Sequence, residues 1–423
     1  MLIAPPAVST CAGRLWRGAF SQRVLSGCNR NIETEEQAKM RSLKRFRVPL
    51  AVAAATALAG VAAGPSGQVA AAEKGSGTLS GDAPVEVIAK GLHSPRDLIW
   101  TPEGRLLVSE AGGIEQLCDN ADIMTAKCFS TTGAITDITD GKPKRIVEGL
   151  ASNVNNAEVV GPNAMVYADG KLHVLEAGHG NGLPGWLPRD LSNTLKNQYG
   201  RVLEVKGKKV RAVANPGAAS YKWMQENPDL VSEDPTANPV SLAAKPGGGF
   251  YYVDAAANIL GEIDRRGNVE ILKWFPKAPN GADAVPTCVD VGPDGAVYAG
   301  QLTGFGNTGN KAANIYRYDP KTGELKVWES GFATISGCGF GANGDFYVTQ
   351  FDRTGFPPPG DPQGVVVQIA KDGTRTELGA GKLFAPQGFL AGPDGSIYVT
   401  NNSVWYPVGT TNRWDQGEVV KIG

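Results

Sequence analysis

Six copies of one short pattern constrain this chain more than any other feature of its 423 residues. Each copy opens on a tight turn: Pro102-Glu-Gly104, Ala168-Asp-Gly170, Pro246-Gly-Gly248, Pro293-Asp-Gly295, Ala342-Asn-Gly344 and Pro393-Asp-Gly395. A short run rich in β-branched and aromatic residues follows each turn: Leu106-Leu-Val108, Leu172-His-Val174, Phe250-Tyr-Tyr-Val253, Val297-Tyr298, Phe346-Tyr-Val348 and Ile397-Tyr-Val399. Asp-Gly and Asn-Gly between such runs are hairpin chemistry, because Gly and Asn accept positive φ. From Pro293 to Ala342 is 49 residues and from Ala342 to Pro393 is 51, a period that belongs to propeller blades rather than to helical solenoids.

Each copy continues with two more strands and another glycine turn. The fourth shows it best, with Asn314-Ile-Tyr-Arg-Tyr-Asp319, the turn Lys321-Thr-Gly323, and Lys326-Val-Trp-Glu329; Gly141, Gly207, Gly267 and Gly373 occupy equivalent turns. A blade therefore has strands A to D. The last copy stops after strand C at 418–423, and the first is preceded by an orphan strand at 85–90 that matches position D. The sequence thus predicts an all-β fold: a six-bladed β-propeller with four-stranded blades over 85–423, its N-terminal strand closing the last blade. Closure leaves only short, protected edges.

The segment before it reads differently. Met40-Arg-Ser-Leu-Lys-Arg-Phe-Arg47 is basic, 48–63 is apolar and Ala-rich, and Ala70-Ala-Ala72 gives a small-residue cleavage pattern before Glu73. That order predicts a signal peptide over 40–72, followed by a disordered linker over 73–84 and preceded by an upstream extension over 1–39 that is no part of the export signal. Residues 1–72 hold nine Lys/Arg and three Asp/Glu, which leaves 41 − 9 = 32 against 42 − 3 = 39, about −7, for the rest. Such a body disfavours nucleic acid and polybasic membrane contact. No apolar run reaches the roughly 18 residues of a transmembrane span. The expected protein is secreted and monomeric, with a small molecule, glycan or protein as partner.

Export to an oxidising compartment turns attention to the cysteines. Cys118 and Cys128 share one insertion, where a bridge would close a small loop. Cys288 and Cys338 fall in strands A of neighbouring blades, where a bridge and a pair of buried thiols both fit. No Cys-x-x-Cys pair supports a zinc site.

Chain direction places the A–B and C–D turns on one end of a propeller and the B–C and D–A loops on the other. The former are tight; the B–C loops 111–134, 177–198, 302–312, 352–363 and 402–416 and the D–A connection 214–238 are long. Function is expected on the loop-rich face. Polar residues end strand B there: Glu110, Glu176, Asp254, Gln301, Gln350 and Asn401. Arg96, Asn156, Thr287, Ser336 and Gln387 begin strand A. Three readings apply: capping of backbone and channel water, a polar ligand pocket that includes His179 and Asn258, or a calcium ion on Glu110, Glu176 and Asp254 through hard oxygen ligands. His173, inside a strand, reads as packed; His179 lies in the loop Gly178-His-Gly-Asn-Gly182. Trp186, Trp223, Trp405 and Trp414 fall in the long loops, where tryptophans grip sugars or pin the loop. No nucleophile elbow, P-loop or H-E-x-x-H occurs.

The stretch 283–305, with Pro286-Thr-Cys-Val289 and Gln301-Leu-Thr-Gly-Phe305, resembles the ScyD/ScyE family. So do Gly91-Leu-His-Ser-Pro-Arg-Asp-Leu98 with Val108-Ser-Glu-Ala-Gly112, Asn238-Pro239 with Val253-Asp-Ala255 and Asn258, and Tyr199-Gly-Arg201. The resemblance covers nearly all of 85–423; the four cysteines and the His in the 178–182 loop depart from it. It implies an exported six-bladed propeller of the NHL-like kind, without implying a reaction. The leading expectation is a non-catalytic binding propeller; the alternative is a calcium-dependent lactonase of the gluconolactonase type at the channel mouth. A quinone-dependent redox enzyme ranks last, since the expected His and Arg cluster is missing.

Overall fold

The structure, a computed structural model, describes residues 79–113, 117–120, 126–155, 158–231, 236–278, 281–304, 311–356, 361–403 and 415–423. The segments 1–39 and 40–72 and most of the 73–84 linker lie outside the described residues. Among the described residues the first strand is β1 (Val85–Leu92). Blade one holds β2 (Pro95–Trp100), β3 (Leu106–Glu110), β5 (Lys127–Asp137) and β6 (Lys144–Asn155), with two short additions, β4 (Leu117–Cys118) and β7 (Glu158–Val160). Blade two is β8 (Pro162–Ala168), β9 (Lys171–Glu176), β10 (Val202–Lys206) and β11 (Lys209–Ala214); blade three is β12 (Pro239–Ala244), β13 (Phe250–Asp254), β14 (Ile259–Ile263) and β15 (Val269–Trp274). Blade four runs β16 (Pro286–Val291), β17 (Val297–Gln301), β18 (Ala313–Asp319) and β19 (Glu324–Phe332); blade five runs β20 (Ile335–Phe340), β21 (Phe346–Gln350), β22 (Gly364–Ile369) and β23 (Arg375–Leu383). Blade six is β24 (Phe389–Ala391), β25 (Ile397–Asn401) and β26 (Gly417–Ile422), completed by β1. The closing pair is antiparallel, with Val85 opposite Ile422 and Leu92 opposite Gly417. The six-bladed ring and its closure are as the repeats predict.

Burial explains why the strands read as they do. Every residue of β3, β13, β17, β21 and β25 is buried, because both faces of a second strand pack on neighbouring blades. Their sequences are accordingly continuous rather than alternating. The fourth strands lie at the rim, and β15 and β19 are only part buried. Six apolar clusters lie one at each seam between blades, and three smaller ones sit under the loops. Leu107, Ile135, Met165 and Val174 join blades one and two; Ala89, Leu98, Leu106 and Tyr398 join blades six and one.

The loop-rich face is more ordered than its sequence predicts. Strand C of blade one starts at Lys127, inside the expected loop 111–134, and β5 pairs with β6 along its whole length. The outer halves of both strands, flanked by β4 and β7, form a raised hairpin. A helix, α1 (Arg189–Gln198), lies in the B–C loop of blade two and packs Leu187, Leu195 and Tyr199 onto Phe129 and Ala151 of that hairpin. A second, α2 (Pro216–Glu226), lies in the 214–238 connection. Its start was visible in the chain: Asn215 accepts the Ala218 N–H at 3.0 Å and Pro216 takes the first helical position, which is a side-chain cap followed by a residue with no N–H to lose. Among the described residues no helix is long and apolar enough to cross a membrane.

Both disulfides form. Cys118–Cys128 ties β4 to β5, and Cys288–Cys338, with Cα atoms 5.6 Å apart, joins the inner strands of blades four and five. The latter pair is offset by one position: Cys288 lies opposite Gly300 and Cys338 opposite Val348, one and two residues from the ends of their second strands. The two bridges span 10 and 50 residues, so chain entropy makes the second the larger stabiliser, about 4 against about 3 kcal/mol. Thermal melts of C118S/C128S and C288S/C338S should both shift downward, the second further. The opposite order would show that the bridge at the channel is not holding blades four and five together.

Candidate functional site

The innermost strands β2, β8, β12, β16, β20 and β24 each have a strand partner on one side only. Their other edge turns backbone N–H and C=O groups toward the channel, and a strand edge needs partners. Side chains of the adjoining blades supply them. Asp97 Oδ2 accepts the Met165 N–H at 2.7 Å, Ser241 Oγ accepts the Val289 N–H at 3.1 Å, and Asp290 Oδ2 accepts the Phe340 N–H at 2.9 Å. Hydroxyls donate in the other sense: Thr287 to the Ile335 carbonyl at 2.5 Å, Ser336 to Pro386 at 2.7 Å, and Thr400 to Arg96 at 3.1 Å. The Asn163 amide donates to the Val240 carbonyl. Arg96 donates to Gln387 Oε1 at 2.7 Å and to the Val159 carbonyl. Every seam of the ring is crossed by at least one such bond.

These strands enclose a cavity of about 140 Å³ along the axis. Its loop-rich end carries Arg96, Asn163, Thr287, Ser336 and Gln387; deeper in lie Asp97 and Asp290, from blades one and four. Both carboxyls are half-buried in the wall of this cavity. Burial therefore pushes Asp97 up to about 7 against the pull of its N–H bonds from Met165 and Leu98, with Asp290 adding a smaller repulsion. Asp290 rises to about 6 for the same first reason, opposed by the N–H groups of Phe340 and Val291. Burial also lowers Arg96, to about 10, with Glu158 acting in the opposite sense. The Arg96 Nε has no hydrogen-bond partner.

Of the expected site residues, most strand-B ends turn back onto their own blade. Glu110 accepts the His93 N–H at 2.6 Å, Asp254 the Asn238 N–H at 2.9 Å, Gln350 the Ala333 N–H at 2.7 Å, and Asn401 the Phe384 N–H at 2.7 Å. Gln301 donates to the Ala284 carbonyl at 3.4 Å and accepts the Asn314 N–H at 3.1 Å. Asn258 adopts φ 55° and accepts the Val285 N–H at 2.7 Å. Glu176 differs. It is fully buried, neither oxygen has a partner, and burial holds its carboxyl well above the usual range.

The expected calcium trio is not assembled. Among the described residues no group of three or more His, Cys, Asp or Glu is placed to hold a metal ion. Glu110 is held bidentate by Arg145 through two 3.0 Å bonds, and Asp254 Oδ1 takes the N–H groups of Asn238, Ala256 and Ala257. Asn156, Trp405 and Trp414 lie outside the described residues; in blade two the inner-strand position belongs to Asn163. His179 bonds Thr236 at 2.9 Å and stacks on Tyr221 of α2, so it clasps two loops together. His173 is buried edge-on against Phe250, and Trp186 leans on Phe129 of the raised hairpin.

Asp97, Ser241 and Asp290 were missed by sequence reasoning. The usable signal was Pro95, Pro162, Pro239 and Pro286, which begin four of the inner strands, with Pro386 three residues ahead of a fifth.

No protein-family model matches the chain, and no curated protein matches it. Solved structures do. A gluconolactonase from Xanthomonas campestris aligns at 9% identity and TM-score 0.49 over 85% of this chain and 97% of that one. Regucalcin, a calcium-binding protein from Agrobacterium tumefaciens, aligns at 12% and 0.43 over 81% and 94%. An auxiliary nutrient binding protein from Bacteroides thetaiotaomicron aligns at 10% and 0.44 over 79% and 69%. Likeness at this level assigns no function.

The channel carboxyls give a pH prediction. Both have folded-state values raised above the ordinary 3.8, so the folded chain holds more protons than the unfolded one between about pH 4 and 7. Their contribution favours the fold at the acid end of that window and is lost as pH rises through it. In urea titrations D97N should flatten the decline in stability between about pH 5 and 7. An unchanged slope would show that Asp97 stays ionised.

Proposed function

We propose that this chain is an exported, non-catalytic propeller of the ScyD/ScyE kind that binds a small polar molecule at the loop-rich mouth of its central channel. The observation that carries the reading is Arg96: a guanidinium nearly fully buried at a cavity lined by hydroxyls and amides, with its Nε lacking a partner. A buried donor left unmade costs about 1–3 kcal/mol, which an acceptor on a ligand would recover. A cavity of about 140 Å³ suits a molecule of about six non-hydrogen atoms. The two disulfides and the basic, apolar, small-residue order of 40–72 support export. A glycan or protein partner would engage the raised hairpin and α1 rather than the channel.

Three measurements test this. Amino-terminal sequencing of protein recovered from the medium of an exporting host should start at Glu73; retention of 40–72 would overturn export. Calorimetry with glycolate as probe should show saturable binding that R96Q removes while D97N retains the fold, and identical binding by R96Q would move the site elsewhere. Hydrolysis of gluconolactone should stay at the buffer rate with and without calcium, and a calcium-dependent rate would overturn the non-catalytic reading.

A further inference from the structure

A second cavity, of about 380 Å³, opens at the seam of blades six and one. It shares no lining residue with the channel. Its walls are the middle of the β5–β6 hairpin, the β1–β2 connection at His93, Gly113 beyond β3, and Asp415 just before β26. The register of β5 against β6 shifts at Ser130/Gly133 and again at Gly133/Ala134. Irregularities of this kind re-aim side chains and recur beside functional sites. Small residues keep the space open: Gly149 sits at φ 82° with nothing within 4 Å of where a Cβ would stand, and a Cβ on Gly113 would come 2.6 Å from His93 Nδ1.

The polar lining is built, not incidental. Arg145 Nε and Nη2 lie 3.0 Å from the two oxygens of Glu110, whose side chain is 1% exposed. The Thr136 hydroxyl and the His93 N–H hold that carboxylate in turn. The guanidinium is thereby fixed in orientation while its charge is already offset. Glu148 adds a further carboxylate within electrostatic reach of Arg145, and the exposed Asp415 also lines the cavity. Neither Glu148 nor Asp415 forms a salt bridge among the described residues. The cavity thus carries one guanidinium, already paired with Glu110, and two further carboxylates, beside the Thr132 hydroxyl, which accepts the Gly113 N–H at 3.0 Å. An anion is disfavoured there, and a cation with hydroxyl groups is complementary.

We propose that this seam cavity binds a hydroxylated primary amine of the amino-sugar class, its ammonium between Glu148 and Asp415 and its hydroxyls on Thr132 and Arg145. The proposal is independent of the channel site. Calorimetry on the purified protein at low salt, with D-glucosamine, D-glucose and D-glucuronate as probes, tests it. Glucosamine should saturate, glucose should bind roughly tenfold more weakly, and glucuronate should not bind. The exposed double variant E148Q/D415N should lose roughly tenfold or more for glucosamine while keeping its melting temperature and its glycolate binding. T132V should weaken both neutral and cationic sugars. Failure of glucosamine to saturate, equal affinity for the three sugars, or wild-type glucosamine affinity in the double variant would each overturn the assignment. Loss of glycolate binding in R96Q alone leaves this site intact, so the two proposals fail separately.

Discussion

The unpaired edge of each innermost strand is the constraint from which the rest of this molecule follows. Six strands around an axis splay too far to hydrogen-bond one another through backbone. Their inward N–H and C=O groups must find side chains instead, and buried polar groups without partners are costly. Asp97, Asn163, Ser241, Thr287, Asp290, Ser336 and Thr400 answer that need from one blade to the next. The channel is polar because the architecture requires it. The same groups that fasten the seams also line the space in which a ligand can be read.

This double duty sets the two faces apart. On the tight-turn face, two-to-six-residue connections leave little to vary. The loop-rich face carries a hairpin that outgrows its blade, stapled by Cys118–Cys128 and braced by α1 through Phe129, Leu187 and Leu195. The raised hairpin also supplies the strand irregularity and the open Gly149 at the wall of the seam cavity. One elaboration of blade one thus yields a wall and a recess without disturbing the stacked cores beneath it.

Architecture was legible because it repeats: a hairpin turn followed by a buried run occurs six times, and the orphan strand at 85–90 had one vacancy to fill. The site was less legible because two neighbouring alternations compete for it. Residues ending strand B, such as Asp254 and Gln350, look like ligands when read along the chain, yet their first duty is to the backbone just before their own inner strand. The channel-facing set lies on the inner strands, where a register irregularity after the leading proline, as between Pro95 and Leu98 or Pro286 and Cys288, breaks the period of two. Counting from Glu110 therefore misses Asp97, and counting from the loop picks Asn156 in place of Asn163. The helices escaped because α1 and α2 are short and stand alone on a β scaffold, with Asn215-Pro216 the one local sign of either.

The pairing of Val85 with Ile422 spans 337 positions along the chain (422 − 85). A polypeptide is synthesised amino end first, so β1 exists before any strand that can receive it. It must wait, solvated, while five blades and three strands of the sixth assemble. Its sequence suits that wait: Glu86 and Lys90 interrupt an otherwise sticky Val-rich segment and discourage pairing with the wrong edge. Contacts so remote in sequence form slowly, and the circle can close only once β26 has been made.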